Sequence, residues 1–339
     1  MNLVGTIDVQ SASTLDAYGS GGLLNVQGVI STSAGTGGIT IASSNGSGGK
    51  VGYSAANSYL GDTSINTGAT LQMNIANAIP NGSNHGNVVL NGALDLKSYG
   101  TTINGLTGSG TVTSSAAGTP VLTVGSNDQS STFSGIIQNG SGTVGLNKSG
   151  TGTLTITNPS NSYGGGTTVQ QGLLKVNNTS GSGTGSGPVV VNSGGALGGG
   201  FGLDTTAINA ANLHNGVYDA NHFGIISGAV EIASGGHLAP GNSVGTLTVG
   251  SLTLDPGSIL DFEFNATPAN DFTFETDLNG LTLNGGLGAG GAFNLYLETV
   301  RHAGHVSSAG LQREHRRDQR HWIALGTQSA GRVQLYVQQ

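Results

Sequence analysis

The chain has 339 residues and a formal net charge of −7, with Gly at 62 positions, Pro at 7 and Cys at none. Glycine at more than twice its ordinary share, without a Gly-X-Y period and with so little Pro, excludes a collagen helix. Low hydrophobicity and few aromatics invite a disordered reading, but the high net charge that usually accompanies disorder is missing.

In chain order, the opening MNLVGTIDVQ carries neither a basic n-region nor an apolar h-region, and no run in the chain approaches the length of a membrane helix. The expectation is that a signal was removed or that the start lies upstream. Short runs follow in which aliphatics alternate with Thr: Ile39-Thr40-Ile41, Val112-Thr113, Leu122-Thr123-Val124, Leu154-Thr155-Ile156-Thr157 and Leu247-Thr248-Val249. Alternation of this kind puts aliphatics on one face and hydroxyls on the other, so these runs read as strands parted by Gly/Ser/Asn turns. Leu154 and Ile156 are expected to point inward. Helical periodicity is absent over the first 298 residues, apart from one short turn of helix that could form over Thr205 to Asn212.

The runs recur. Asn57 to Gly68 (NSYLGDTSINTG) aligns without gaps on Asn161 to Gly172 (NSYGGGTTVQQG), with Ile65 and Val169 in the same slot. Gly28-Val29-Ile30 and Gly135-Ile136-Ile137 lead into the two copies at nearly the same distance, so the unit is roughly a hundred residues long. A second match joins Gly187 to Gly200 (GPVVVNSGGALGGG) with Gly228 to Gly241 (GAVEIASGGHLAPG). Units that cannot bury an apolar face alone must stack, which predicts an elongated array.

The order K-x-G-x-GTLT, NxYxGGTTVxxGxL, VxVNSGGxLGG and SGGxLAPGNSxGTLTVGSLTL resembles the autotransporter-associated β-strand repeat, also called the passenger-associated transport repeat. The resemblance covers residues 28–98, 135–200 and 228–283. It implies an all-β fold, a right-handed parallel β-helix of the kind found in exported passengers of Gram-negative surface proteins, and it brings no catalytic residues with it. Absence of Cys suits a passenger threaded unfolded through a membrane. At about 22 residues and about 4.8 Å per turn, 300 residues would make a rod of about 65 Å. Open ends require caps or further turns, so the chain is expected to continue into more β-helix or an anchor domain.

Residues 299–339 differ from the rest. All six Arg lie there against two acidic residues, whereas residues 1–298 hold four Lys against fifteen Asp and Glu. The segment also carries four of the eight His and the single Trp, Trp322. We read it as a basic, atypical tail, disordered or out of frame, in preference to a segment that binds nucleic acid.

Motifs of chemistry are few. Gly241-Asn242-Ser243-Val244-Gly245 fits a hydrolase nucleophile elbow, but a strand-like run follows it where a helix is required. Gly140 to Gly145 (GSGTVG) fits a dinucleotide fingerprint outside any βαβ context and reads as a turn. His214, Asp219 and His222 have metal-ligand chemistry without a fixed ligand motif. Asp255, Asp261, Glu263, Asp271, Glu275 and Asp277 could gather Ca²⁺, yet they lack the periodicity of a calcium-binding β-roll and read as solvated. Tyr53, Tyr59, Tyr99 and Tyr163 read as repeat residues stacked near turns. No catalytic, cofactor or metal residue is assigned, and no cofactor is expected. The function read from the sequence is structural: an extracellular or cell-surface, outer-membrane-associated stalk or passenger scaffold, not an enzyme, and an adhesin in one version. The alternative is a carbohydrate-active β-helix enzyme or carbohydrate-binding adhesive module. Expected partners are cell-surface or polysaccharide contacts, with no nucleic acid and no membrane insertion by this segment.

Overall fold

The computed structural model describes residues 1–18, 21–44, 46, 48–200, 224–241, 245–264, 272–277, 280–284, 294–299, 322–328 and 332–337. The described chain is all β, with no helix, and its parallel strands stack as a solenoid of about ten turns. At about 4.8 Å per turn the stack is about 50 Å long, shorter than composition alone suggested because long segments such as 201–223 add residues without adding turns.

Each turn contributes strands to three faces. Face one runs from Asn2–Leu3 through Leu23–Val26, Lys50–Tyr53, Thr70–Met73, Ala93–Asp95 and Thr111–Thr113 to Ile136–Ile137. Face two begins with Ile7–Asp8 and Ile30–Ser31 and resumes as Thr101–Ile103, Val121–Val124, Gly145–Lys148, Thr167–Val169 and Val189–Val191. Face three runs from Ser13–Asp16 to Leu106–Thr107. A single bridge from Gly108 to Phe133 then carries it into the sheet Ser131–Phe133, Thr153–Ile156, Gly172–Val176 and Gly195–Gly199.

Register is strict although turn length is not. Leu94 pairs with Val112 after 18 residues, and Val26 pairs with Tyr53 after 27, yet in both cases inward residue meets inward residue. A slip of one residue would turn a strand's aliphatics outward, so corners absorb the variation. The interior column follows from this: Phe133, Ile156, Val176 on face three and Leu122, Leu146 and Val169 on face two are buried. Leu154 and Ile156 point inward as expected.

The interior is not purely aliphatic. Tyr53, Tyr59 and Tyr163 are completely buried within it, and only Tyr99 sits outside near a turn. This corrects the expectation that all four stack near turns, and the reason lies in the corner geometry described below.

Glycine marks close approach. A Cβ on Gly28 would lie 1.6 Å from the Gly5 carbonyl oxygen, and one on Gly135 would lie 2.0 Å from that of Gly110, so the backbone of one turn rests directly on the next. Thr205 to Asn212 falls outside the described residues. Within 299–339, strands Trp322–Gln328 and Arg332–Val337 form a hairpin whose first strand pairs antiparallel with Phe272–Glu275. Its antiparallel pairing separates it from the stack, as its composition does.

Candidate functional site

The chemistry built most deliberately into this chain is the joining of one turn to the next. In the first aligned copy, Asn57 stands at a corner, where its Oδ1 accepts from the Ile30 N–H at 2.8 Å and its Nδ2 donates to the Ala78 carbonyl at 2.8 Å. In the second, Asn161 accepts from the Ile137 N–H at 2.8 Å and donates to the Gly183 carbonyl at 2.7 Å. One amide thus ties three successive turns, using the acceptor and donor that no other side chain of this size offers together.

Tyrosine completes the module. The Tyr59 and Tyr163 hydroxyls share hydrogen bonds with Thr63 at 2.6 Å and Thr167 at 2.7 Å, four residues on. The ring fills the corner of the interior while its one polar atom is satisfied, which is what allows a tyrosine inside a thin core. Burial pushes the Tyr59 phenol up to about 12, and it raises Tyr163 further in spite of the Thr167 bond. Each module closes on a glycine in the left-handed region, Gly68 at φ 81° and Gly172 at φ 67°.

The two copies are alike locally but do not face the same way. Ile30 and Asn57 lie on face two and hand the chain to Thr63–Ile65 on face three, whereas Ile137 and Asn161 lie on face one and hand it to Thr167–Val169 on face two. The corner module therefore works at different angles around the rod.

A second linkage uses carboxylates and amides at strand ends. Asp8 accepts from the Ser33 N–H at 2.8 Å, Asp16 from Ser44 at 3.0 Å, Asp62 from Asn87 at 2.7 Å, Asp128 from Thr151 at 2.7 Å and Asn77 from the Thr102 N–H at 2.9 Å. In each pair the acceptor belongs to one turn and the donor to the next. Bonds to the charged form hold the Asp8, Asp16 and Asp128 carboxyls below their ordinary range, led by Ser33, Ser44 and Thr151. Asp95 is buried, and burial pushes its carboxyl up. Hydrogen bonds from Ser115, the Lys97 N–H and Gln72 outweigh that, so it too lies below the ordinary value.

Lys148 is 1% exposed, and its ammonium donates to the carbonyls of Ser149 at 2.6 Å, Gly150 at 2.8 Å and Gln171 at 3.1 Å. Its three donors match three acceptors, two in its own turn and one in the next. Burial lowers it to about 8, and the Asp128 carboxylate pulls the other way. A lysine so occupied is a fastener, with no proton or lone pair free for a substrate.

The sequence-derived candidates are dispersed. The N–H groups of Gly140, Gly142, Thr143, Val144 and Gly145 are spent on Gly142 O, Ser114 O, Gly118 O, Asn139 Oδ1 and Pro120 O, so this loop has no free amide nest for a phosphate. Ser243, His214, Asp219, His222 and Asp271 lie outside the described residues, as do the side chains of Glu263 and Glu275. Asp261 accepts from or shares a proton with His237 at 2.6 Å, Asp255 accepts from Asn284 at 2.7 Å, and Asp277 is exposed. Among the described residues no three His, Cys, Asp or Glu gather as a metal site. Asn57, Asn161 and Lys148 were not singled out from sequence, although the spacing N-x-Y-x-x-x-T stands in both copies.

The family model of the passenger-associated-transport-repeat matches residues 54–73 and 146–176, which contain both Tyr–Thr pairs. No curated protein gives a significant match to the chain. The chain carries this repeat, and its β-solenoid is the architecture the resemblance implied.

Proposed function

We propose that the chain is a structural scaffold of an exported, surface-displayed passenger, a stalk that holds other groups away from the cell and serves adhesion. The observation that carries this reading is the use of polar side chains. Asn57, Asn161, Lys148 and the row of strand-end carboxylates are committed to the neighbouring turn, which stiffens a rod and leaves them unavailable to a reaction. The carriage of a passenger-associated repeat supports the location.

A protease-shaving experiment on intact producing cells tests it. An epitope placed in the exposed Ser33–Thr36 turn should be labelled and cleaved without lysis. Recovery of the epitope only after lysis, in the cytosolic fraction, would contradict surface display.

A further inference from the structure

The first turn is open. Strands Asn2–Leu3, Ile7–Asp8 and Ser13–Asp16 each form the last strand of their sheet, with one edge unpaired. Five of the seven exposed large hydrophobics among the described residues lie in this region: Met1 at 85%, Val4 at 79%, Tyr18 at 77%, Leu23 and Val29. Leu3, Ile7 and Leu15 close the interior from below and are only partly buried.

The usual guards of a free edge are missing. Residues 1–49 contain no Lys, Arg or Pro, and their two carboxylates, Asp8 and Asp16, reach up to Ser33 and Ser44 in the second turn. An edge without these guards is a template for another strand. The charge distribution selects what can approach. The chain carries −7 overall, which sets two copies against each other, but at this end both carboxylates are turned toward the second turn and bonded there. At the far end the edge of Phe272–Glu275 is already taken by the antiparallel strand Trp322–Gln328.

We propose that the first turn is a self-association surface on which a second copy of this chain seats, N-terminal end against N-terminal end. A two-fold axis across the rod makes the meeting strands antiparallel. When it sets the four-residue Ser13–Asp16 against its own copy, it also sets the two-residue Asn2–Leu3 of one copy against the two-residue Ile7–Asp8 of the other. Strands of equal length meet, and the assembly closes at two, because the same surface serves both partners. The Ser13 and Ala17 N–H groups donate to Gly38 and Ala42 in the second turn, so by alternation the Thr14 and Asp16 backbone groups face the open edge.

Light scattering on the full 339-residue chain tests this. A mass of twice 33.5 kDa is expected at micromolar concentration. Thr14→Pro removes an edge-facing N–H that no internal bond uses, and Val4→Lys brings like charges together, so both should return the single mass. Because the chain lacks Cys, Thr14→Cys alone should give a disulfide-linked pair on mild oxidation. A single mass for the unaltered chain at every concentration would overturn the proposal. So would an open series of masses, which marks head-to-tail stacking, or a pair that survives both variants and does not cross-link through Thr14→Cys.

Discussion

Lys148 concentrates at one residue the problem the chain solves throughout, which is how to keep polar groups inside a core only two or three side chains wide. Its three carbonyl partners compensate the buried charge only in part, because burial still lowers it to about 8. In the unfolded chain the same amine titrates near its ordinary 10.5. Between about pH 8 and pH 10 the unfolded state therefore holds more protons than the folded one, and stability should rise with pH across that window. Above about pH 10 the sign reverses. Tyr53, Tyr59 and Tyr163 are raised by burial, remain neutral when folded and ionise when unfolded, so their contribution falls away. Urea midpoints taken on either side of pH 9 should show the rise, and Lys148→Met should flatten it. An unaltered slope in that variant would remove Lys148 as its source. Leu154, packed inward on face three, should lose about 3 kcal/mol on replacement by Ala, since the cavity left between stacked strands cannot close. Thermal melts check this, and a loss under about 1 kcal/mol would place Leu154 at the surface.

At the scale of the corner module, Asn161→Ala orphans the Ile137 N–H and the Gly183 carbonyl together, both buried between turns. A cost of about 2–4 kcal/mol is expected. Asn161→Asp keeps the acceptor, loses the donor and should fall between the two. Equal stability of all three proteins would mean that the corner is held by something else. The strand-end carboxylates make an acid-sensitive set. Asp8, Asp16, Asp95 and Asp128 lie below their ordinary 3.8 when folded, so their contribution is fully present above about pH 5 and is lost as pH falls through the folded values. Asp95→Asn, at the most buried of the four, should lower stability at neutral pH and reduce its decline below about pH 4. An unchanged acid limb in unfolding curves would rule that residue out.

These elements also show what a sequence discloses and what it hides. The alternation of Leu154-Thr155-Ile156 announces a strand and its inward face, because side-chain direction in a strand depends only on parity. The alignment of Asn57–Gly68 on Asn161–Gly172 announces a repeat. Neither announces that the two copies sit on different faces, because that depends on the summed length of the corners between them, which ranges from 18 to 27 residues per turn. Tyr59 and Tyr163 were misplaced for a similar reason. Their burial depends on a hydroxyl four residues away, a three-dimensional partnership that hydrophobic patterning does not weigh. The strand-end carboxylates find their partners about one turn later, at a separation that is legible only once the turns are counted.

Over the whole molecule the claim that supports the rest is register: residues about one turn apart lie side by side, and those two turns apart do not. Column Thr132, Thr155, Lys175 on the outer side of face three offers a clean measurement, since Thr132 pairs with Thr155 and Thr155 with Lys175. The chain has no Cys to interfere. Adjacent parallel strands lie about 4.8 Å apart, within reach of a disulfide, whereas two turns span nearly 10 Å and exceed it. The double variant Thr155→Cys with Lys175→Cys should therefore cross-link rapidly on mild oxidation, within one chain. Thr132→Cys with Lys175→Cys should remain reduced under the same conditions. Cross-linking of the second pair, or failure of the first, would contradict the stacked solenoid.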